Sequence, residues 1–138
     1  MNSISRRRFL RTASAITAGA AFIPNLISCS PSDKINVAIV GVGGRGKAQW
    51  QSTLNEEGEP VENVVALCDV DEKRASEGFA KFPNARRFKD YREMMDKMGN
   101  EIDVVMISTP DHNHFPAAMA AMELGKHVYV EKPLAHNV

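Results

Sequence analysis

VVMISTPDHNHFPAAMAAMELGKHVYVEKP, residues Val104 to Pro133, reads as strand, polar loop, helix and strand, ending in a lysine held against a proline. Val104 to Ile107 is an unbroken apolar run, the pattern of a parallel strand covered on both faces, and Ser108-Thr109-Pro110-Asp111 interrupts it. From Phe115 to Leu124 the alanine, methionine and leucine content predicts a helix, with Gly125 in the left-handed position that ends one. His127-Val128-Tyr129-Val130 resumes as a short strand. Loops at the carboxyl ends of parallel strands border the ligand crevice of an open α/β sheet, which is where Thr109, Asp111, Glu131 and Lys132 fall.

Upstream, Lys34-Ile35-Asn36-Val37-Ala38-Ile39-Val40 predicts a strand running into Gly41-Val42-Gly43-Gly44-Arg45-Gly46 and then a helix to about Leu54. Strand, G-x-G-x-x-G and helix in that order suit a dinucleotide. Gly41 allows the tight turn, Gly43 lets backbone approach a pyrophosphate, Gly46 permits close helix packing, and the helix start offers N–H donors. A second strand, Val64 to Cys68, ends at Asp69, whose carboxylate would accept from a ribose diol. Asp69 follows Gly41 by 28 positions, longer than the roughly 20 usual for this pattern. The polar insert Asn55-Glu56-Glu57-Gly58-Glu59-Pro60 accounts for the excess as a surface loop. Asp71, just before Glu72-Lys73-Arg74-Ala75, suits the cap of the next helix better than Asp69 does.

These segments together resemble the Gfo/Idh/MocA family of NAD(P)-dependent oxidoreductases, whose members act mostly on sugars and cyclic polyols. The resemblance runs from about Asn36 to the end of the chain. It rests on Gly41 to Gly46, Cys68-Asp69-Val70-Asp71, Ser108 to His114, Gly125-Lys126-His127-Val128 and Glu131-Lys132-Pro133. It implies a cofactor set of Gly41, Gly43, Gly44, Arg45, Gly46 and Asp69 at the phosphate and ribose end. Thr109, Pro110, His114 and Glu131 would then lie towards the nicotinamide, with His114 orienting the loop. Lys132 would be catalytic, relaying the hydroxyl proton together with a histidine or aspartate of a second domain, a role that suits a partly buried lysine. The cofactor is expected to be NAD. Lys73 and Arg74 stand close enough to a 2′-phosphate to leave NADP open.

The implied fold is a Rossmann-type doubly wound parallel α/β sheet, truncated after the fifth strand. Strands are expected near 35–40, 64–68, 86–88, 104–108 and 127–130 in the order 3-2-1-4-5, with helices near 45–54, 72–81, 91–98 and 115–124. The mainly antiparallel substrate domain of the family is absent from the chain, which reads as a fragment of a longer protein. Apolar surface beyond the fifth strand would then await a partner, and the resemblance implies a homo-oligomer through the missing domain. Residues 35–138 form the nucleotide-binding domain, 29–34 a linker and 1–28 an export signal.

That signal has Arg6, Arg7, Arg8 and Arg11, no acidic residue, and a mildly apolar stretch from Thr12 to Ile27 too short and polar to span a membrane. Ser5-Arg6-Arg7-Arg8-Phe9-Leu10-Arg11 resembles the twin-arginine signal, which exports proteins already folded around a cofactor. Leu26-Ile27-Ser28-Cys29 resembles a lipobox, so Cys29 would carry a lipid anchor and the protein would be periplasmic or membrane-anchored. The whole chain balances 17 basic against 17 acidic residues; without the four signal arginines it is mildly acidic, which argues against nucleic acid as a partner. Cys68, on a buried strand, reads as a small apolar residue, and two cysteines make no disulfide framework.

Asp111-His112-Asn113-His114 offers three metal ligands in four residues, but no partner ligand stands elsewhere, so no metal is expected. Met94, Met95, Met98, Met106, Met119 and Met122 read as core. Three functions remain: an exported NAD(P)-dependent oxidoreductase of a sugar or polyol; a redox-neutral NAD-dependent glycoside hydrolase that keeps its cofactor; and a nucleotide-binding module without catalysis.

Overall fold

The computed structural model describes residues 34–135. The signal-like residues 1–28, the lipobox Cys29 and the linker to Asp33 lie outside them. The chain forms β1 (Asn36–Val40), α1 (Gly46–Gln51), β2 (Asn63–Cys68), α2 (Glu72–Lys81), β3 (Arg86–Phe88), α3 (Tyr91–Met98), β4 (Val104–Ile107), α4 (His114–Glu123) and β5 (His127–Val130). A 3-10 turn, Asp111–Asn113, leads into α4. The five strands are all parallel, in the order β3-β2-β1-β4-β5. Among the described residues no helix is long and apolar enough to cross a membrane.

Side chains alternate across each strand, so the sheet feeds two cores. Ala38, Val40, Ala66, Cys68, Val105 and Ile107 pack under α3 and α4, whose Met94, Met95, Met98, Ala117, Ala118 and Ala121 close that layer. On the opposite face Val37, Ile39 and Leu67 meet Trp50 of α1 and Ala75 and Phe79 of α2. Ile39 and Leu67 are fully buried, and each such side chain stabilises the fold by about 2 kcal/mol. Trp50 packs edge-on against Phe82, with ring centroids 6.0 Å apart, and its indole N–H donates to Val42 O at 3.2 Å.

The two-faced cover expected for the strands holds at the centre and fails at the edge. Val128 and Val130 of β5 pack into the α3–α4 core, whereas Tyr129 is half exposed on the other face. The reason is the winding: α1 and α2 follow β1 and β2 and cover only that half of their face, while α3 and α4 lie behind the sheet. Two further expectations change. Met122 is 50% exposed and no core residue, since the buried positions of α4 are His114, Ala117, Ala118 and Ala121. α1 ends at Gln51 and not near Leu54, because the hydroxyls of Ser52 and Thr53 donate to Gln49 O and Trp50 O and turn the chain out of the helix. The polar insert follows as a surface turn closed by a Leu54–Pro60 bridge.

Candidate functional site

In register, Val40 stands beside both Cys68 and Ile107, so three strands end at one level and their next residues, Gly41, Asp69 and Ser108, form one rim. Gly41 N–H donates to Cys68 O at 2.8 Å and turns the chain with φ +85°. A Cβ at Gly41 would lie 2.7–2.8 Å from the backbone of Ser108 and Thr109, and one at Gly46 only 1.7 Å from Gly41 O. Gly46, the first residue of α1, is buried, and Gly44 and Arg45 are exposed above it.

Asp69 is bound to the glycine turn. Its Oδ2 accepts Val42 N–H at 2.8 Å and Gly43 N–H at 2.9 Å, and its Oδ1 accepts Asp71 N–H at 2.9 Å. A carboxylate has about four acceptor positions. Three are filled, leaving room for one further donor at Oδ1. Asp71 caps α2, accepting Lys73 N–H at 3.0 Å and Arg74 N–H at 3.1 Å. That cap brings α2 against the turn: a Cβ at Gly43 would meet Arg74 Cβ and backbone at 2.8–2.9 Å, and one at Gly44 would meet Arg74 Nη2 at 2.8 Å. Arg74, and not Lys73, therefore faces the cleft.

Across the rim, Ser108 and Thr109 have buried hydroxyls without a hydrogen-bond partner. Glu131 N–H donates to Ile107 O at 3.0 Å, carrying β5 into the same rim, and the Glu131 carboxylate lies 3.6 Å from the Arg45 guanidinium of the glycine turn. His114 is buried under both loops, with Nδ1 2.6 Å from Pro133 O and Nε2 2.7 Å from Thr109 O. Lys132 and Pro133 are thus tied to Thr109, beside the cleft and not in its wall. Lys132 is exposed, against the partial burial expected of it, because it lies past the end of β5 where no helix of the described residues covers it.

The cleft so formed holds ≈ 470 Å³. Gly41, Gly43, Arg45, Asp69, Thr109 and Pro110 line it. Sequence reasoning missed its far wall, where Lys89, Tyr91 and Arg92 stand after β3. Asp90 between them caps α3, accepting Arg92 N–H at 2.9 Å, and the Arg92 side chain, which also donates to it, holds its carboxyl below the usual range. At the floor, burial first and the carboxylates of Asp90, Asp69 and Glu93 next push the Cys68 thiol up to about 12, so it stays neutral and takes no part as a nucleophile. Among the described residues no three His, Cys, Asp or Glu side chains converge as for a metal; His112 is exposed on the 3-10 turn.

Residues 35–138 match an oxidoreductase family described by its NAD-binding Rossmann fold. An alpha-N-acetylgalactosaminidase of Shewanella oneidensis is 32% identical over an alignment covering 100% of this chain and 35% of that relative. The chain therefore spans about a third of the length of the curated relatives it matches. Among solved structures, a dehydrogenase of Bordetella pertussis in complex with NADH and UDP-GlcNAcA is 26% identical with a TM-score of 0.61, covering 75% of this chain and 30% of that one. The myo-inositol dehydrogenase of Lactobacillus casei, in complex with NAD(H) and myo-inositol, is 26% identical with a TM-score of 0.63, covering 74% and 29%.

Proposed function

Since the chain belongs to the oxidoreductase family with the NAD-binding Rossmann fold, we propose that it holds the dinucleotide of an enzyme that oxidises or reduces a hydroxyl or ketone of a sugar or polyol. The observation that carries this reading is one rim bearing a turn whose Gly41 and Gly43 leave no room for a Cβ, a carboxylate with one open acceptor position, and two buried hydroxyls lacking partners. A dinucleotide meets each need. Gly41, Gly43, Gly44, Arg45 and Gly46 would carry its pyrophosphate, Asp69 would take one ribose hydroxyl, and Thr109 and Pro110 would line the nicotinamide end. His114 and Glu131 would hold the loops on either side. Asp69 at the ribose makes NAD the expected cofactor, and Arg74 over the glycine turn makes NADP the second choice.

The nicotinamide, when bound, supplies hydride chemistry. The chain's own part is the proton. Lys132, tied through Pro133 to the Thr109 loop, would take the proton from the substrate hydroxyl at Nζ in oxidation and return it to the ketone oxygen in reduction. Its exposure leaves Nζ free to meet a substrate.

A second reading is favoured by the relative named as an alpha-N-acetylgalactosaminidase. In that case a sugar hydroxyl would be oxidised only transiently, the aglycone eliminated to leave an unsaturated ketone, water added across the double bond in place of the aglycone, and the ketone reduced again by the retained cofactor, so that the net reaction is hydrolysis. Full-length protein incubated with nitrophenyl glycosides and with free sugars or polyols, while nicotinamide absorbance is followed, separates the two. Net cofactor reduction by a free sugar or polyol supports the oxidoreductase; nitrophenol release with no net reduction supports the hydrolase. Neither signal, with NAD bound, would leave only a nucleotide-binding module.

The arginine motif and Cys29 support a further part of this proposal, export and lipid anchoring. Replacing Arg6 and Arg7 by lysine should retain the precursor in the cytoplasm. Cys29→Ala should shift exported protein from the membrane to the soluble fraction, and a membrane-bound Cys29→Ala would refute the anchor.

A further inference from the structure

Asp71, Asp90 and Asn113 all stand at helix starts and are all of the residue types that cap one, yet they do not behave alike. Asp71 and Asp90, before α2 and α3, hold extended backbone (φ −108°, ψ 95° and φ −121°, ψ 125°), and their carboxylates accept N–H groups of the helix ahead. Asn113, before α4, closes the 3-10 turn instead, with φ −102° and ψ −7°, its own N–H donating to Pro110 O at 2.8 Å. A capping side chain typically reaches the helix N–H groups from extended backbone. The half-buried Asn113 accordingly makes no side-chain cap bond, and it lines the cleft.

The hydroxyls of the same wall lack partners too. Ser108, 9% exposed, and Thr109 both line the cleft, and neither hydroxyl has a hydrogen-bond partner. A buried hydroxyl left so costs free energy that a ligand can return. Ser108 and Thr109 stand against Gly41, where a Cβ would meet their backbone at 2.7–2.8 Å, so they flank the pyrophosphate turn and the ribose that follows it. Asn113 lies one short turn further along the same loop. Beyond that ribose comes the nicotinamide ring, whose one polar substituent is a primary carboxamide.

We propose that Asn113 sets the cofactor specificity of the cleft at its nicotinamide end by pairing with the carboxamide: its amide N–H donates to the carboxamide oxygen, and its Oδ1 accepts the carboxamide N–H. The inference rests on the reading of the cleft as a dinucleotide site. An amide has donor and acceptor on separate atoms side by side and so complements another amide; a hydroxyl, with both functions on one oxygen, cannot make that two-point pair. The carboxamide sits on C3 of the ring, beside C4, the carbon that gives or takes hydride. The loop that carries Asn113 is tied through His114 to Pro133, the residue after Lys132. Holding the carboxamide there turns C4 towards the proton carrier and stops the ring rotating about its bond to the ribose.

Calorimetric titration of the full-length protein with NAD and three relatives of it tests the pairing. 3-Acetylpyridine adenine dinucleotide keeps the carbonyl and loses the amine, nicotinic acid adenine dinucleotide has a carboxylate there, and ADP-ribose lacks the nicotinamide altogether. Wild type is expected to bind NAD about tenfold tighter than the acetylpyridine dinucleotide, the size of one net hydrogen bond. Asn113→Leu should weaken NAD by about tenfold to a hundredfold and bring that ratio near one, with ADP-ribose bound as before. Asn113→Asp still accepts the carboxamide N–H and should keep more of the NAD affinity than Asn113→Leu. It should bind the nicotinic acid dinucleotide about tenfold more weakly than wild type does, since two carboxylates then face one another. A wild-type NAD preference that survives in Asn113→Leu overturns the inference, and so does an equal loss of ADP-ribose, which would make Asn113 a structural residue. Wild type that binds neither NAD nor ADP-ribose overturns instead the dinucleotide reading beneath it.

Discussion

The carboxylate of Asp69 accepts the backbone N–H of Gly43 at 2.9 Å, through the same oxygen that accepts Val42 N–H at 2.8 Å. The residue expected to read a ribose is thus already a structural member of the phosphate turn. Removing it with Asp69→Ala strands three part-buried donors, the N–H groups of Val42, Gly43 and Asp71, each costing about 1–3 kcal/mol. The variant should melt lower and bind both NAD and NADP more weakly, NAD the more so because it also loses the ribose contact. Calorimetric titration with thermal unfolding checks this; an unchanged melting temperature with loss of NAD alone would mean the carboxylate serves only the ligand.

Gly46→Ala should be among the most damaging single changes in the domain. Its Cβ would sit 1.7 Å from Gly41 O, an overlap with backbone that no rotamer relieves, so a loss of at least about 3 kcal/mol is expected. Gly58→Ala is the control. Gly58, unlike Gly46, has a positive φ, +81°, but nothing lies within 4 Å of its would-be Cβ, so the loss should be only the backbone strain of about 1–2 kcal/mol. Urea unfolding of both variants reads the difference.

Lys132→Ala in the full-length protein should slow hydride transfer by about two to four orders of magnitude while leaving NAD affinity largely intact. Lys132→Arg should not restore it, because a guanidinium does not give up its proton. Single-turnover change in nicotinamide absorbance is the measurement. Full rate with poor cofactor binding would make Lys132 structural.

Cys68 should resist iodoacetamide at pH 8 in the folded protein and react once it is unfolded, since burial keeps it a neutral thiol. Its folded pKa, about 12, is raised above the ordinary 9.0, so the stability it contributes is intact below about 9 and falls as pH rises towards 12. Alkaline unfolding of Cys68→Ala, compared with wild type, should lack that component of the fall. Equal alkaline profiles would show that the thiol does not carry it.

The strands and helices of the sheet were legible because they rest on local signals, apolar runs and one glycine turn, while their order came from the resemblance to the family and not from any single segment. The Asp71 cap was legible for the same reason, the N–H donors its carboxylate accepts lying two and three residues ahead. What escaped notice spans the chain. His114 meets a carbonyl 19 residues away, and a backbone oxygen carries no sequence signature. The hold of Asp69 on Val42 and the reach of Arg74 over Gly44 depend on how β2 and α2 are set against the turn. The early end of α1 had a readable cause in Ser52 and Thr53, whose hydroxyls compete for the last carbonyls. The exposure of Tyr129 and Lys132 follows from which face the helices leave bare, a property of the assembled layers and not of either residue.

Trp50 is the only tryptophan in the chain, and its indole N–H rests on Val42 O inside the glycine turn. Any ligand that tightens or shifts that turn changes the polarity seen by the one indole of residues 1–138. Reduced nicotinamide absorbs where indole emits, so a bound reduced dinucleotide would also quench it by energy transfer. The protein carries a built-in optical gauge of its cleft, by which occupancy and cofactor redox state can be followed without any label.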